Sequence, residues 1–167
     1  YFSNAEQLQQ FVFWSFGTLG NVSWNGILIL FFCITIGLWI SFLTTKSLNA
    51  LLLGENYAKS MGVNLKLATF WIIVATSLLA GSITAFAGPI AFVGLAVPHL
   101  TRQYFNSSNH IVLLPAVFLS GAVLMLICDT VAQLPFIELT LPINAITSLL
   151  GAPVVIWLLV RKRKLFF

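Results

Sequence analysis

The sequence predicts an all-α integral membrane protein with five membrane crossings, one of them short and broken by glycine and proline. Three observations lead there. Of 167 residues, 59% are hydrophobic and 7% are charged, against roughly a quarter charged in a soluble domain. Four charge-free stretches reach or approach spanning length. The Lys and Arg residues, finally, are placed so that four crossings alone cannot satisfy them. Eight basic and four acidic side chains cannot cover a water-facing surface, which excludes a soluble enzyme, a nucleic-acid-binding domain and a disordered chain. The net charge of +4 does not argue for nucleic acid either. Half of the bases form the single run Arg161-Lys162-Arg163-Lys164, which reads as a membrane-edge anchor. Cys33 and Cys128 lie inside apolar runs, where a thiol acts as a small hydrophobe; they support neither a disulfide nor a metal site.

Residues 1–25 read as an outer segment. Glu6, several Gln and Asn, Gly17 and Gly20 interrupt it, while Leu8, Phe11, Val12, Ser15 and Phe16 predict an amphipathic helix capped by Ser3 or Asn4. The charge-free spans follow at 26–43, 67–87, 111–128 and 143–160. A hydrocarbon core of about 30 Å needs about 20 helical residues at 1.5 Å each, so these lengths suffice or nearly do. Residues 44–66 form the first inner loop, carrying Lys46, Lys59 and Lys66. Leu48, Leu51, Leu52, Tyr57 and Met61 recur in it at helical spacing, and Gly54 and Gly62 divide it into two short helices, Gly62 as a C-cap. Such a loop either lies on the membrane surface or docks as a helical knob into a cytoplasmic partner. Residues 129–142, with Asp129 and Glu138 and no base, read as an outer loop. Residues 161–167 are a basic cytoplasmic tail.

The Lys/Arg bias of the loops sets orientation. Alternating four spans leaves the tail on the wrong face. A fifth crossing over 88–100 repairs this and puts Arg102 inside. That stretch is apolar but too short for a full span, and Gly88, Pro89, Gly94 and Pro98 interrupt it. Irregular backbone survives in a membrane only where protein or an aqueous cavity surrounds it, so the segment is either a translocation path or a packed re-entrant turn. His99 and Arg102 sit at its inner end, His99 as a ligand or as a helix-end side chain bonded to backbone. Trp24 falls at an outer span end, and Trp39, Trp71 and Trp157 fall near inner ends.

No Ser/His/Asp set, HExxH motif or paired Cys/His cluster occurs, and no GxxxxGK[ST] loop. No catalytic residue, cofactor site or metal ligand is therefore expected. No span holds a carboxylate with a basic partner, which weakens a proton- or sodium-driven carrier.

Three stretches carry a resemblance: Leu53-Gly-Glu-Asn-Tyr-Ala-Lys-Ser-Met-Gly-Val63, Ala87-Gly-Pro-Ile-Ala-Phe-Val-Gly-Leu-Ala-Val-Pro-His-Leu-Thr-Arg102, and Leu141-Pro-Ile-Asn-Ala-Ile-Thr-Ser-Leu-Leu-Gly-Ala-Pro-Val-Val-Ile-Trp157. In sequence, order and spacing they resemble the permease subunits of ABC importers for iron-siderophore, haem and vitamin B12, the FecCD family. The resemblance implies a ten-helix permease of the bacterial inner membrane that works as a homodimer with two ATP-binding subunits, this chain being its C-terminal half. It implies that Leu53, Gly54, Glu55, Ala58 and Gly62 couple to the ATPase, with small Ala58 and Gly62 permitting close docking. The second stretch is the broken segment itself, so the translocation-path reading falls on Gly88, Pro89, Gly94, Pro98, His99 and Arg102. The resemblance also implies that Asp129, Gln133 and Glu138 face a substrate-binding protein on the outer side. Some relatives carry an Arg near Gln133 and a Glu near Thr140, so Asp129 and Glu138 remain as the charged candidates. The motifs do not distinguish siderophore, haem and cobalamin. A channel or secondary carrier needing no ATPase is the alternative, and a purely structural anchor a third reading.

Overall fold

A computed structural model describes residues 5–17, 22–133 and 142–163, and every regular element among them is an α-helix. In chain order these are α1 (Ala5–Phe16), α2 (Trp24–Leu51), α3 (Glu55–Ser60), α4 (Leu65–Ala87), α5 (Val93–Phe105), α6 (His110–Ala132) and α7 (Ile143–Arg163). Three of them, α2 with 28 residues and α4 and α6 with 23 each, are long and apolar enough to cross a membrane, and α7 contains the shorter apolar stretch Ile143–Trp157. Glu138 and Lys164 lie outside the described residues.

Burial runs opposite to that of a soluble protein. The buried set is mostly small: Ala50, Ala58, Ala68, Ala75, Ala87, Ala96, Ala116 and Ala132, while Phe31, Leu119 and Leu126 are 62%, 62% and 67% exposed. Lipid is as apolar as leucine, so membrane helices gain by bringing backbones close through small residues and leave large side chains facing outward. Thr44 and Thr45 join that interface by donating to their own helix, to Ser41 O at 2.9 Å and Phe42 O at 2.6 Å. Among the described residues no buried side-chain nitrogen or oxygen lacks a partner.

Helices α2 and α4 form the most extensive pair. Gly26 meets Phe86 near one end and Gly37 meets Leu79 further along, so the two helices run antiparallel. A Cβ on Gly37 would lie 2.6 Å from Leu79 Cγ, whereas one on Gly81 would meet nothing within 4 Å. Gly37→Val is therefore expected to cost roughly 1–3 kcal/mol by overpacking and to lower the midpoint of thermal unfolding in detergent by several degrees. Gly81→Ala should leave that midpoint unchanged; equal midpoints for the two variants would contradict this packing. Further toward the α3 end the pair opens into an apolar groove of about 520 Å³ bounded by Leu43, Thr44, Leu67, Ala68 and Trp71.

Side chains close the helix starts. Ser23 Oγ accepts from Gly26 N at 3.2 Å, Asn64 Oδ1 from Leu67 N at 3.3 Å and Asn109 Oδ1 from Ile111 N at 3.0 Å, each satisfying an amide with no partner inside its helix. At the other end of α6, Cys128 and Ala132 pack on Ile143 and Ile146 of α7, with Leu124 and Met125 alongside. Cys128 is buried, Cys33 half-buried, and both thiols are free.

Two helix ends differ from those expected from the sequence. Residues 44–51 are the last turns of α2 rather than a separate short helix, because no breaker precedes Gly54; only α3 stands alone in the inner loop. Trp39 therefore lies near the middle of the long helix α2. Helix α5 runs past Leu100 to Phe105, placing Arg102 in its last turn, and ends only where Asn106 turns left-handed at φ 45°.

Candidate functional site

The glycine- and proline-broken stretch leaves residues 88–92 non-helical between α4 and α5. Helix α4 stops at Ala87, and Gly88 adopts φ 80° and ψ 176°, a region open essentially to glycine alone. Space demands glycine there as well. A Cβ would land on the carbonyl oxygen of Trp14, and Gly17 Cα lies 3.2 Å from the same point. The C-terminal end of α1 thus sits directly on the end of α4, and Trp14 Nε1 also donates to Ala85 O at 3.4 Å. Residues 89–91 are non-helical, and Phe92 opens α5 with φ 66°, uncommon for a bulky residue. Phe92 packs against Gly151 of α7, where any Cβ would collide with its ring-bearing carbon. Pro98, inside α5, removes one further backbone bond. Of the residues singled out from the sequence, Gly88 and Pro89 lie in the unwound stretch. Gly94, Pro98, half-buried His99 and exposed Arg102 lie along α5, and all six form one continuous segment.

One residue of this site was not singled out from the sequence. Asn144, in the first turn of α7, accepts from Ala91 N at 3.0 Å through Oδ1. Its Nδ2 donates to Pro89 O at 2.6 Å and to Ser15 O at 3.3 Å. The unwound backbone starts at Asn144 and runs along α7 to Gly151, about 10 Å at 1.5 Å per residue. The sequence signal was available in principle: a carboxamide inside the third family-like stretch, among otherwise apolar and small residues.

At the other end of the α2–α4 pair stands α3. Gly54 precedes it at φ 98° and ψ 153°, and Gly62 follows at φ 81°. A Cβ at either would meet nothing within 4 Å, so both are glycines for conformation, not for closeness to a neighbour. The turn closes through Val63 N to Ala58 O at 3.0 Å and Gly62 N to Lys59 O at 2.9 Å. Glu55 in the first turn and Lys59 in the last suit the helix dipole. Ala58 is 0% exposed. Its small size lets α3 seat against α2 and α4, which corrects the expectation that it offers close docking to a partner. The outward surface of α3 and its flanks instead includes Leu53, Gly54, Glu55, Tyr57, Lys59, Met61 and Gly62.

A polar clip ties this end to α6. Asn49 Nδ2 donates to Asn109 Oδ1 at 2.8 Å, while Asn49 Oδ1 accepts from His110 N at 2.9 Å and lies 2.7 Å from His110 Nδ1. At the opposite end, Gln133 Nε2 donates to Asp129 Oδ2 at 2.9 Å, one turn apart on α6. Those two expected docking residues are therefore brought together, with Asp129 half-buried and Gln133 exposed; the third, Glu138, lies outside the described residues. Among the described residues no group of three or more His, Cys, Asp or Glu side chains could hold a metal ion.

Residues 1–161 match the family model described as the FecCD transport family. The chain is 38% identical over 167 residues to the vitamin B12 import system permease protein BtuC of Citrobacter koseri, covering 98% of this chain and 49% of that protein. It is 37% identical over 164 residues to the hemin transport system permease protein HmuU of Yersinia pestis, again 98% and 49%. Among solved structures, one described as an inward-facing conformation of a metal-chelate type ABC transporter superposes with a TM-score of 0.82 at 35% identity. That match covers 96% of this chain and 51% of the other. The chain spans about half the length of the relatives it matches.

Proposed function

Because the chain belongs to the FecCD transport family, we propose that it is the C-terminal half of an ABC importer permease in the bacterial inner membrane. Its cargo belongs to the class of iron chelates, haem and cobalamin. Separate ATP-binding subunits power it, a binding protein delivers cargo at the outer face, and two permease copies assemble around the path. The chain itself catalyses nothing; it is an ATP-gated conduit.

One observation carries this reading. The antiparallel α2–α4 pair joins an outward-facing short helix at one end to the unwound stretch at the other, α3 leading into α4 and α4 ending at Gly88. A displacement imposed on α3 by closure of an ATPase dimer is delivered along α4 to the point where the backbone is irregular. The unwound stretch covers about 10 Å of depth along α7 and the 13 residues of α5 add about 20 Å. Together they equal a hydrocarbon core of about 30 Å, which supports counting them as one crossing and the chain as five. With that count, Lys46, Lys59, Lys66 and Arg102 share the cytoplasmic face.

The test is reconstitution of the assembled importer with its binding protein in proteoliposomes. Cargo accumulation that requires ATP hydrolysis, and stops with a non-hydrolysable analogue, is the expected result. Equal uptake without nucleotide would instead identify a channel or carrier.

A further inference from the structure

We infer that Asn144 is the positioning residue of the interrupted segment: its carboxamide holds residues 88–92 unwound and ties them to the C-terminal end of α1. The inference rests on the pathway role proposed for that segment.

The chemistry matches side chain to backbone without remainder. Stopping α4 at Ala87 and restarting at Phe92 leaves amides and carbonyls that no helix absorbs, and inside a membrane each must find a partner. A carboxamide supplies one acceptor and two donors. Here the acceptor meets the amide of Ala91, one donor meets the carbonyl of Pro89 and the other reaches the carbonyl of Ser15. The amide orientation is dictated by its partners, since an N–H can only donate and a carbonyl can only accept. Three separate parts of the chain meet at this one side chain: the end of α1, the α4–α5 junction and the first turn of α7. Gly17 completes the cradle, where a Cβ would lie 3.5 Å from both Asn144 Nδ2 and Ala87 O. A side chain that donates twice and accepts once is not replaceable by an apolar residue or by an anion of the same shape.

That asymmetry gives a test which a merely space-filling role would not pass. In Asn144→Asp the shape is kept, but the ionised carboxylate faces two carbonyl oxygens and can donate to neither. Protonated, it accepts from Ala91 N and donates one O–H to Pro89 O. None of residues 14–17, 87–92 or 143–147 is ionisable; on α6, packed against α7, the titratable groups toward this end are Cys128, which packs on Ile143 and Ile146, and Asp129. With no cation on these segments, protonation is what lets the introduced carboxyl donate.

Uptake by the assembled importer is measured between pH 5 and 8 as the ratio of variant to parent. Labelling of a cysteine at position 91, in a background lacking Cys33 and Cys128, is followed in parallel. Asn144→Asp should fall about tenfold below the parent at pH 8 and recover most of that loss by pH 5. Asn144→Leu should stay low throughout. Both should raise the labelling rate of position 91 at pH 8 in the membrane-inserted fraction. Unchanged labelling in both variants, or an Asn144→Asp ratio that stays equally far below the parent at every pH, overturns the inference. Faster labelling with uptake at the parental level upholds the clip and overturns the pathway reading on which it rests.

Discussion

Gly88→Val is expected to abolish uptake, lowering it at least about a hundredfold, while Gly94→Ala six residues on leaves it within about twofold of the parent. Two penalties coincide at Gly88. The backbone conformation, φ 80° and ψ 176°, costs a non-glycine residue about 1–3 kcal/mol. The added Cβ must also displace the Trp14 carbonyl and the neighbouring Gly17 backbone, which are not flexible ends that swing aside. About 3 kcal/mol corresponds to about a hundredfold in the population of the intact junction. Gly94 has neither problem: its φ is ordinary for a helix and a Cβ there meets nothing within 4 Å. Uptake per inserted transporter, together with protease resistance of α1, checks the pair. Uptake by Gly88→Val within twofold of the parent would show that the α1–α4 junction is not needed.

The second large effect concerns α3. Tyr57 and Met61 are 51% and 61% exposed, on a face that the described residues leave uncovered. Tyr57→Asp combined with Met61→Asp places two charges where an apolar contact with the ATPase is proposed, at a cost of several kcal/mol if that contact desolvates them. Uptake should drop at least tenfold and ATPase co-purification should weaken, with the thermal midpoint of the permease unchanged. Ala58→Trp should behave differently. Ala58 has no surface to offer, so the large side chain unseats α3 from α2 and α4 and lowers the midpoint before any partner is involved. If Ala58→Trp kept its stability and lost only coupling, the inward orientation of that residue would be contradicted.

Much of this architecture was legible because membrane helices write their lengths in composition. The runs at 26–43, 67–87 and 111–128 lie within α2, α4 and α6. The glycine–proline break begins at Gly88, where α4 ends. The Lys/Arg bias called for a fifth crossing between Ala87 and Ile111, where the structure has the 13-residue helix α5, shorter than a full span. The inner loop was less legible. Nothing between Leu43 and Gly54 forbids helix, so where α2 ends depends on the first backbone needing positive φ rather than on a change in polarity. Ala58 misled for a related reason: a small residue in an exposed loop suits close docking and inward packing equally well, and only the three-dimensional seat of α3 separates them. The glycines divide the same way. Gly54 and Gly62 serve conformation, Gly37 and Gly151 serve contact, and Gly88 serves both, a distinction invisible in one-letter code. Asn144 was hidden because its partners are backbone atoms some 53 and 129 positions away in sequence, and backbone atoms carry no residue-type signature.

The most direct test of the coupling role of α3 is site-specific photocrosslinking in the assembled, ATP-hydrolysing transporter, with the probe at position 57 or at position 133. The prediction is that position 57 captures the ATP-binding subunit, whereas position 133, on the opposite end of the helices, captures none of it. Capture of that subunit from position 133, or none from position 57 while hydrolysis continues, would contradict the assignment of α3 as the coupling element.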